Sequence, residues 1–165
     1  MKINIRPYQT EDTQCILDII NHSILHSTAL YDYNCRTYEK QKSILEEKIN
    51  KKFPVIVAEF EDKVVGFGMY SEFRFREAYQ FTVEHSVYID EKFQGKGIGK
   101  LLLAKLIALA KEQKLHTMIG VIDSENTDSI LFHEKFGFKT VGIINESGYK
   151  FDRWLHSVFM QLFLK

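Results

Sequence analysis

The chain has 165 residues, 22 Lys and Arg balanced by 22 Asp and Glu, 45% apolar residues and two cysteines, Cys15 and Cys35. Zero net charge excludes a general binder of nucleic acid or of an anionic membrane, both of which call for a basic excess. Without C-x-x-C spacing, the two cysteines read as reduced thiols rather than as a disulfide or a metal site.

The opening segment MKINIRPYQ lacks the apolar core of a secretion signal, and a strand is predicted near residues 2–7. Thr10 or Asp12 is placed to cap a helix running to about His26, and a second helix is predicted over 37–50. His22 and His26 fall four apart on the first helix, but HSILH lacks the glutamate of H-E-x-x-H and offers no third ligand, so no metal is expected. VIVAEF and VVGFGMYSEF read as a hairpin around Glu61-Asp62-Lys63. The strand 80–89 then alternates, sending Phe81, Val83, His85, Val87 and Ile89 to a core face and Gln80, Thr82, Glu84, Ser86 and Tyr88 to a polar one.

A helix is predicted over 97–113; its LLLAKLIALA stretch, broken by Lys105, is too short to cross a membrane, and the protein is expected in the cytosol. HTMIGVI suggests another strand, SENTDSILFHEKF a helix ended by Gly137, and FKTVGII and RWLHSVFMQLFL two closing strands. No repeat, low-complexity tract or Pro/Gly/Ser linker interrupts the order, so residues 1–165 are expected to form a single mixed α/β domain, one sheet with flanking helices. A chain of this length buries about 70% of its unfolded surface, enough for one core.

Most information lies at the junction of strand 80–89 and helix 97–113, where Gln94, Gly97 and Gly99 stand in the pattern Q-x-x-G-x-G. Glycines let successive backbone N–H groups converge on an anion, and the following helix aims its positive end at the same place. A plain glycine turn is the bland alternative. Two nucleotide motifs fail by spacing. A dinucleotide fingerprint from Gly95 needs Gly or Ala at position 100, which is Lys100, and a P-loop needs its second glycine there and a hydroxyl residue where Leu101 stands. A strand leading into an anion loop also directs its polar face towards the ligand, which makes Glu84 a candidate base.

Here the chain resembles the GNAT superfamily of acyl-CoA-dependent N-acetyltransferases, whose cofactor loop carries Q/R-x-x-G-x-G/A between the fourth strand and the third helix. TVEHSVYI (82–89), FRFREAY (73–79), ENTDSILFHEKFGF (125–138) and GYKFDRW (148–154) are more specific. They resemble the phosphinothricin and methionine sulfone/sulfoximine N-acetyltransferases over nearly the whole chain. The resemblance implies a mixed central sheet with helices on both faces, and direct transfer of acetyl from acetyl-CoA to a primary amine, with no metal.

On the matching positions, the resemblance implies that Glu84 deprotonates the amine. Backbone amides at Val87, Tyr88 and Ile89 meet the thioester oxygen and the pantetheine arm. Gln94, Gly95, Lys96, Gly97, Ile98, Gly99 and Lys100 hold the pyrophosphate, and Asn126 contacts CoA. His133 stands where many GNAT enzymes have a tyrosine that protonates the leaving thiolate; it is a candidate acid, or else a hydrogen-bonding residue of the core. Arg74, Phe75, Arg76, Tyr79, His85 and Ser86 are candidate acceptor contacts, with Tyr149, Lys150 and Trp154 as lesser candidates for pocket walls. An arginine suits a carboxylate because it offers two parallel hydrogen bonds. The expected acceptor is the α-amine of a small amino acid analogue such as phosphinothricin, methionine sulfoximine or methionine sulfone. Another amine (a polyamine, an aminoglycoside or a protein N-terminus) is the alternative, and a silent acyl-CoA sensor a further one. A homodimer is also implied.

Overall fold

The apolar runs pair into one sheet in the computed structural model, which describes residues 1–165. The strands are β1 (Asn4–Pro7), β2 (Val55–Phe60), β3 (Lys63–Glu72), β4 (Thr82–Ile89), β5 (Thr117–Asp123), β6 (Lys139–Lys150) and β7 (Arg153–Phe163). The helices are α1 (Thr13–His26), α2 (Tyr38–Asn50), α3 (Ile98–Glu112) and α4 (Thr127–Glu134). The sheet runs β1-β2-β3-β4-β5-β7-β6, and only the β4–β5 pair is parallel.

Helices cover both faces, as the resemblance implied. On one, Ile16, Ile19, Ile20 and Ile24 of α1 and Leu45 of α2 pack on Val55, Val57, Phe67, Met69 and Tyr88. On the other, Ile98, Leu102, Leu103, Leu106 and Ala110 of α3 pack on Val83, Met118, Val158 and Met160, and Ile130 and Phe132 of α4 join them. The three-to-four-residue spacing of these side chains is what makes each helix bury one stripe.

The local expectations hold with corrections. Lys63 belongs to β3, opposite Phe60, so the hairpin turn is Glu61-Asp62 alone, both left-handed at φ 48° and 60°. Neither Thr10 nor Asp12 caps α1 in the simple sense. A 3₁₀ turn opened by Gln9 precedes it, and the Asp12 carboxylate accepts the Gln9 N–H at 2.8 Å and pairs with Arg6 at 2.7 Å. β6 runs on to Lys150, well past the predicted 138–144, as a mostly exposed edge strand.

Strand β4 departs furthest from its predicted pattern. Phe81 lies outside it and is 54% exposed, while Tyr88, assigned to the polar face, is buried beside Phe67, because α1 and α2 cover that face too. β4 pairs with β5 only from Thr82 to Glu84, although its ladder with β3 continues to Ile89 and that of β5 with β7 to Asp123. Past Glu84 the two parallel strands therefore splay, and the edge of β4 that faces β5 has no ladder partner.

Candidate active site

The splay opens a cleft of about 1260 Å³ that runs from the end of α1 to the start of α3 and α4. Fourteen of the sequence-derived candidates line it: Glu84, His85, Ser86, Val87, Tyr88, Ile89, Gln94, Gly95, Gly97, Ile98, Gly99, Lys100, Asn126 and His133. Lys96 does not. Its ammonium donates to Lys92 O at 2.9 Å and lies over the Phe93 ring. Arg74, Phe75, Arg76 and Tyr79 also stand outside the lining, in the β3–β4 connection; Arg74 stacks on Phe73, Arg76 on Phe75, and Phe75 is 82% exposed.

The loop has the shape its glycines demand. Gly95 and Gly97 take φ of 72° and 80°, where an L side chain is strained, and a Cβ at either would meet nothing within 4 Å. Gly97 caps α3, so the N–H groups of Ile98, Gly99 and Lys100 are first-turn donors without a helical acceptor, beside the cleft. With the helix dipole they suit a phosphate anion. Asn126 caps α4, its side chain accepting from Ser129 N–H at 3.1 Å, so the ordinary capping role is present as well as a place on the cleft wall.

Glu84 reaches the cleft from the α1 face of β4, opposite Ser71 on β3. Burial pushes its carboxyl above the usual range, opposed by the positive charges of Arg74 and Lys48. A carboxyl raised in this way is a better proton acceptor, which is the property an acetyl-transfer base needs.

His85 is not beside Glu84 and Ser86 as an acceptor contact would be. Alternation turns it to the opposite face of β4, where it is 8% exposed, stacks on His133 at 5.0 Å between ring centres and meets the edge of Phe138. Burial, and then the nearness of His133, pull its pKa down to about 3. Burial lowers that of His133 too, partly offset by its hydrogen bond to the Ser129 carbonyl.

Sequence reasoning missed the connection between α1 and α2. Thr28 donates to the Asp123 carboxylate at 2.6 Å, Tyr31 hydrogen-bonds Ser157 at 3.1 Å, and Lys150 donates to the carbonyls of Ser27 and Leu30 at 2.8 and 2.6 Å. Thr28, Leu30 and Tyr31 wall the cleft, whereas Lys150, a candidate wall residue, is buried beneath them. Tyr149 and Trp154, the other two, pack edge-on against each other away from the cleft. The partners lie 95 to 126 residues away in sequence, so no local signal marks this connection. Gly120 was also missed: a Cβ there would sit 3.2 Å from His85 Nε2 and 3.3 Å from His133 Cδ2, so its bareness makes room for the histidine pair.

Known proteins are similar to this chain in sequence and in fold. Residues 22–138 match the acetyltransferase (GNAT) family. The chain is 35% identical, over 97% of its length and 94% of the relative's, to an L-methionine sulfoximine/L-methionine sulfone acetyltransferase of Salmonella typhimurium. An N-acetyltransferase from Staphylococcus aureus Mu50 superposes with a TM-score of 0.98 at 40% identity, covering 100% of both chains. A phosphinothricin acetyltransferase from Sinorhizobium meliloti, solved with acetyl-CoA, does so at 0.96 and 32%, covering 99% of this chain and 89% of its own. With a splayed fourth strand, a Q-x-x-G-x-G loop at a helix start and a fold shared over its full length, the chain belongs to the GNAT acetyltransferase family.

Proposed function

We propose that the protein, acting as one domain over residues 1–165, transfers acetyl from acetyl-CoA directly to the α-amine of a small amino acid analogue: phosphinothricin, methionine sulfoximine or methionine sulfone. One observation carries the reading: β4 parts from β5 immediately after Glu84, so a half-buried carboxyl with a raised pKa, an unpaired strand edge and a helix start with free N–H groups share one cleft. In this reading Gln94 to Lys100 cradle the pyrophosphate, chiefly through backbone N–H groups, with Lys100 adding charge and Lys96 at the rim. Val87, Tyr88 and Ile89 offer their free edge to the pantetheine arm as an added strand would, and to the thioester oxygen as charge builds on it. Asn126 meets CoA from the start of α4.

An aliphatic amine arrives mostly protonated, since its pKa is about 8 to 10. Glu84 takes that proton, directly or through water, and the freed nitrogen attacks the thioester carbon. Ser86, on the same face of β4, borders the acceptor, and Arg74, whose charge already bears on Glu84, reads the acceptor carboxylate from the rim with Phe75, Arg76 and Tyr79 around it. Names of relatives support this acceptor class. Acetylation cancels the amine's charge, so an analogue no longer resembles an amino acid, which is a detoxifying outcome.

The cytoplasm, where acetyl-CoA is at hand, suits two free thiols, and no helix is long and apolar enough to cross a membrane. A homodimer suits the surface: Val141, Ile143 and Ile144 on edge strand β6 and Trp154 and Phe163 on β7 are all more than half exposed.

Thiol release from acetyl-CoA tests the reading with L-methionine sulfone, L-methionine sulfoximine, L-phosphinothricin, spermidine, an aminoglycoside and an N-terminal peptide as acceptors. Turnover is expected with the amino acid analogues and a loss of about 10² to 10⁴ in kcat for Glu84→Ala. Turnover confined to the other amines would refute the acceptor class, and silence despite acetyl-CoA binding would point to a sensor.

A further inference from the structure

Resting on the acetyl-transfer reading, we propose that His85 is a positioning residue: it holds His133 as a neutral tautomer, protonated on Nδ1 with the Nε2 lone pair covered, so that His133 has no proton to give the departing thiolate.

One carbonyl determines the protonation of both rings. Ser129 O lies 2.6 Å from His133 Nδ1, and a carbonyl only accepts, so the proton is on Nδ1; the Ser129 hydroxyl, 3.5 Å from the same nitrogen, is the weaker neighbour. A neutral His133 then carries a lone pair on Nε2, and the atom facing it at 3.1 Å is His85 Nε2, which must therefore be the donor. That leaves His85 Nδ1 as a bare acceptor, and this atom is buried without a partner.

The opposite arrangement is costlier. Protonating His133 on both nitrogens forces His85 to accept at Nε2 and to carry its own proton on Nδ1, an orphaned buried N–H; a bare acceptor is the better tolerated of the two. The groups packed on the pair are uncharged: Phe132 and Phe138 meet the rings edge-on, and Gly120 closes over them. Glu84, Asp123, Asp128, Lys100 and Lys135 line the same cleft, yet none of them forms a hydrogen bond or ion pair with either ring, whose only polar partners are each other and Ser129. No charged group in contact favours an imidazolium; only the Ser129 carbonyl does, and burial outweighs it.

The proton balance closes without an imidazolium donor. As the neutral amine attacks, the C–N bond forms, the C–S bond breaks and its electron pair leaves on sulfur. The nitrogen must then shed one more proton to become an amide, and that proton neutralises the thiolate. His133 contributes shape and a covered lone pair at the base of the splay, which keeps α4 against β4.

Long-range ¹H–¹⁵N spectra of the ¹⁵N-histidine-labelled protein read the tautomers directly. At neutral pH the expected pattern is a proton on Nδ1 of His133 and on Nε2 of His85. His85→Gln, whose amide N–H can replace the lost donor, is expected to keep His133 in that form. His85→Leu uncovers Nε2, and the His133 titration is expected to move up towards the ordinary histidine range. A role limited to packing would lower stability in both variants without separating their spectra. A proton found on His133 Nε2 in the wild-type protein, or a kcat that falls between about pH 6 and 8 in step with loss of that proton, would overturn the proposal. The spectrum decides the tautomer whether or not any amine turns over, so a failure of the acetyl-transfer reading remains distinguishable.

Discussion

Gly97→Ala separates the two reasons for a glycine in the loop. The position has φ 80° and caps α3, and an added Cβ would meet nothing within 4 Å, so no clash enters and the whole effect is conformational. A left-handed L residue costs about 1–2 kcal/mol. If the strain is borne, a domain of this size loses roughly 2–4 °C in melting temperature per kcal/mol. If φ relaxes instead, the first amides of α3 turn away from the cleft and charge-assisted hydrogen bonds worth about 1.5–3 kcal/mol each are lost, weakening acetyl-CoA binding by about 10- to 100-fold for one such bond. Gly97→Asn, better tolerated in the left-handed region, is expected to recover most of both losses. Differential scanning fluorimetry and isothermal titration with acetyl-CoA measure the two quantities on the same samples. Wild-type affinity in Gly97→Ala, together with a melting temperature that Gly97→Asn fails to raise, would refute the claim that this φ shapes a phosphate-binding loop.

Glu84→Gln tests the other end of the cleft through its pH dependence. Because burial raises the folded pKa, wild-type stability is full below the unfolded value of 4.5 and declines as pH rises through the folded one. The variant lacks this loss, so it is expected to melt above the wild type at about pH 7 and level with it at about pH 4 while losing turnover; a lower melting temperature at neutral pH would show Glu84 to be a stabilising ion-pair partner instead. Ile143→Glu on edge strand β6, where the side chain is 55% exposed, is expected to convert a dimer to monomer in light scattering without loss of helicity by circular dichroism; an unchanged mass would place any dimer contact elsewhere. Lys150→Met removes two hydrogen bonds that hold Ser27 and Leu30 in place. The expected cost is about 1.5–3 kcal/mol in urea unfolding, with faster proteolysis between residues 27 and 37; an equally protected connection would show that Thr28 and Tyr31 suffice to hold it.

The parts of this fold legible in the sequence are those specified by neighbours in the chain. Start signals near residues 10–12 and at the glycine loop placed α1 and α3, Glu61-Asp62-Lys63 marked the hairpin that Glu61-Asp62 turns, and Gly95 and Gly97 belong to the loop whose left-handed φ no ordinary side chain adopts easily. Strand alternation correctly separated His85 from Glu84, since successive side chains leave a strand on opposite faces. It failed for Tyr88 because period two reports only that the faces differ, and here helices cover both, so the nominally polar face still holds a core residue.

The acceptor side was the least legible part, for a related reason. Arg74 and Arg76 were read as pocket residues by type; they fold onto Phe73 and Phe75 at the rim, outside the lining, and the wall itself includes Thr28, Leu30 and Tyr31, held by Asp123, Lys150 and Ser157. Those anchors come from β5, β6 and β7, strands that the chain reaches only after the whole first half of the sheet is built. On the proposed reading, the phosphate end of the cleft is one continuous stretch from Gln94 to Lys100, whereas the acceptor end is assembled from segments far apart in the chain. Substitutions in the first are expected to alter acetyl-CoA binding alone, and substitutions at Asp123, Lys150 or Ser157 to change which amine is accepted while acetyl-CoA affinity holds. Two sets of variants measured by the same calorimetric and kinetic assays would show that division, and a loss of acetyl-CoA affinity in the second set would contradict it.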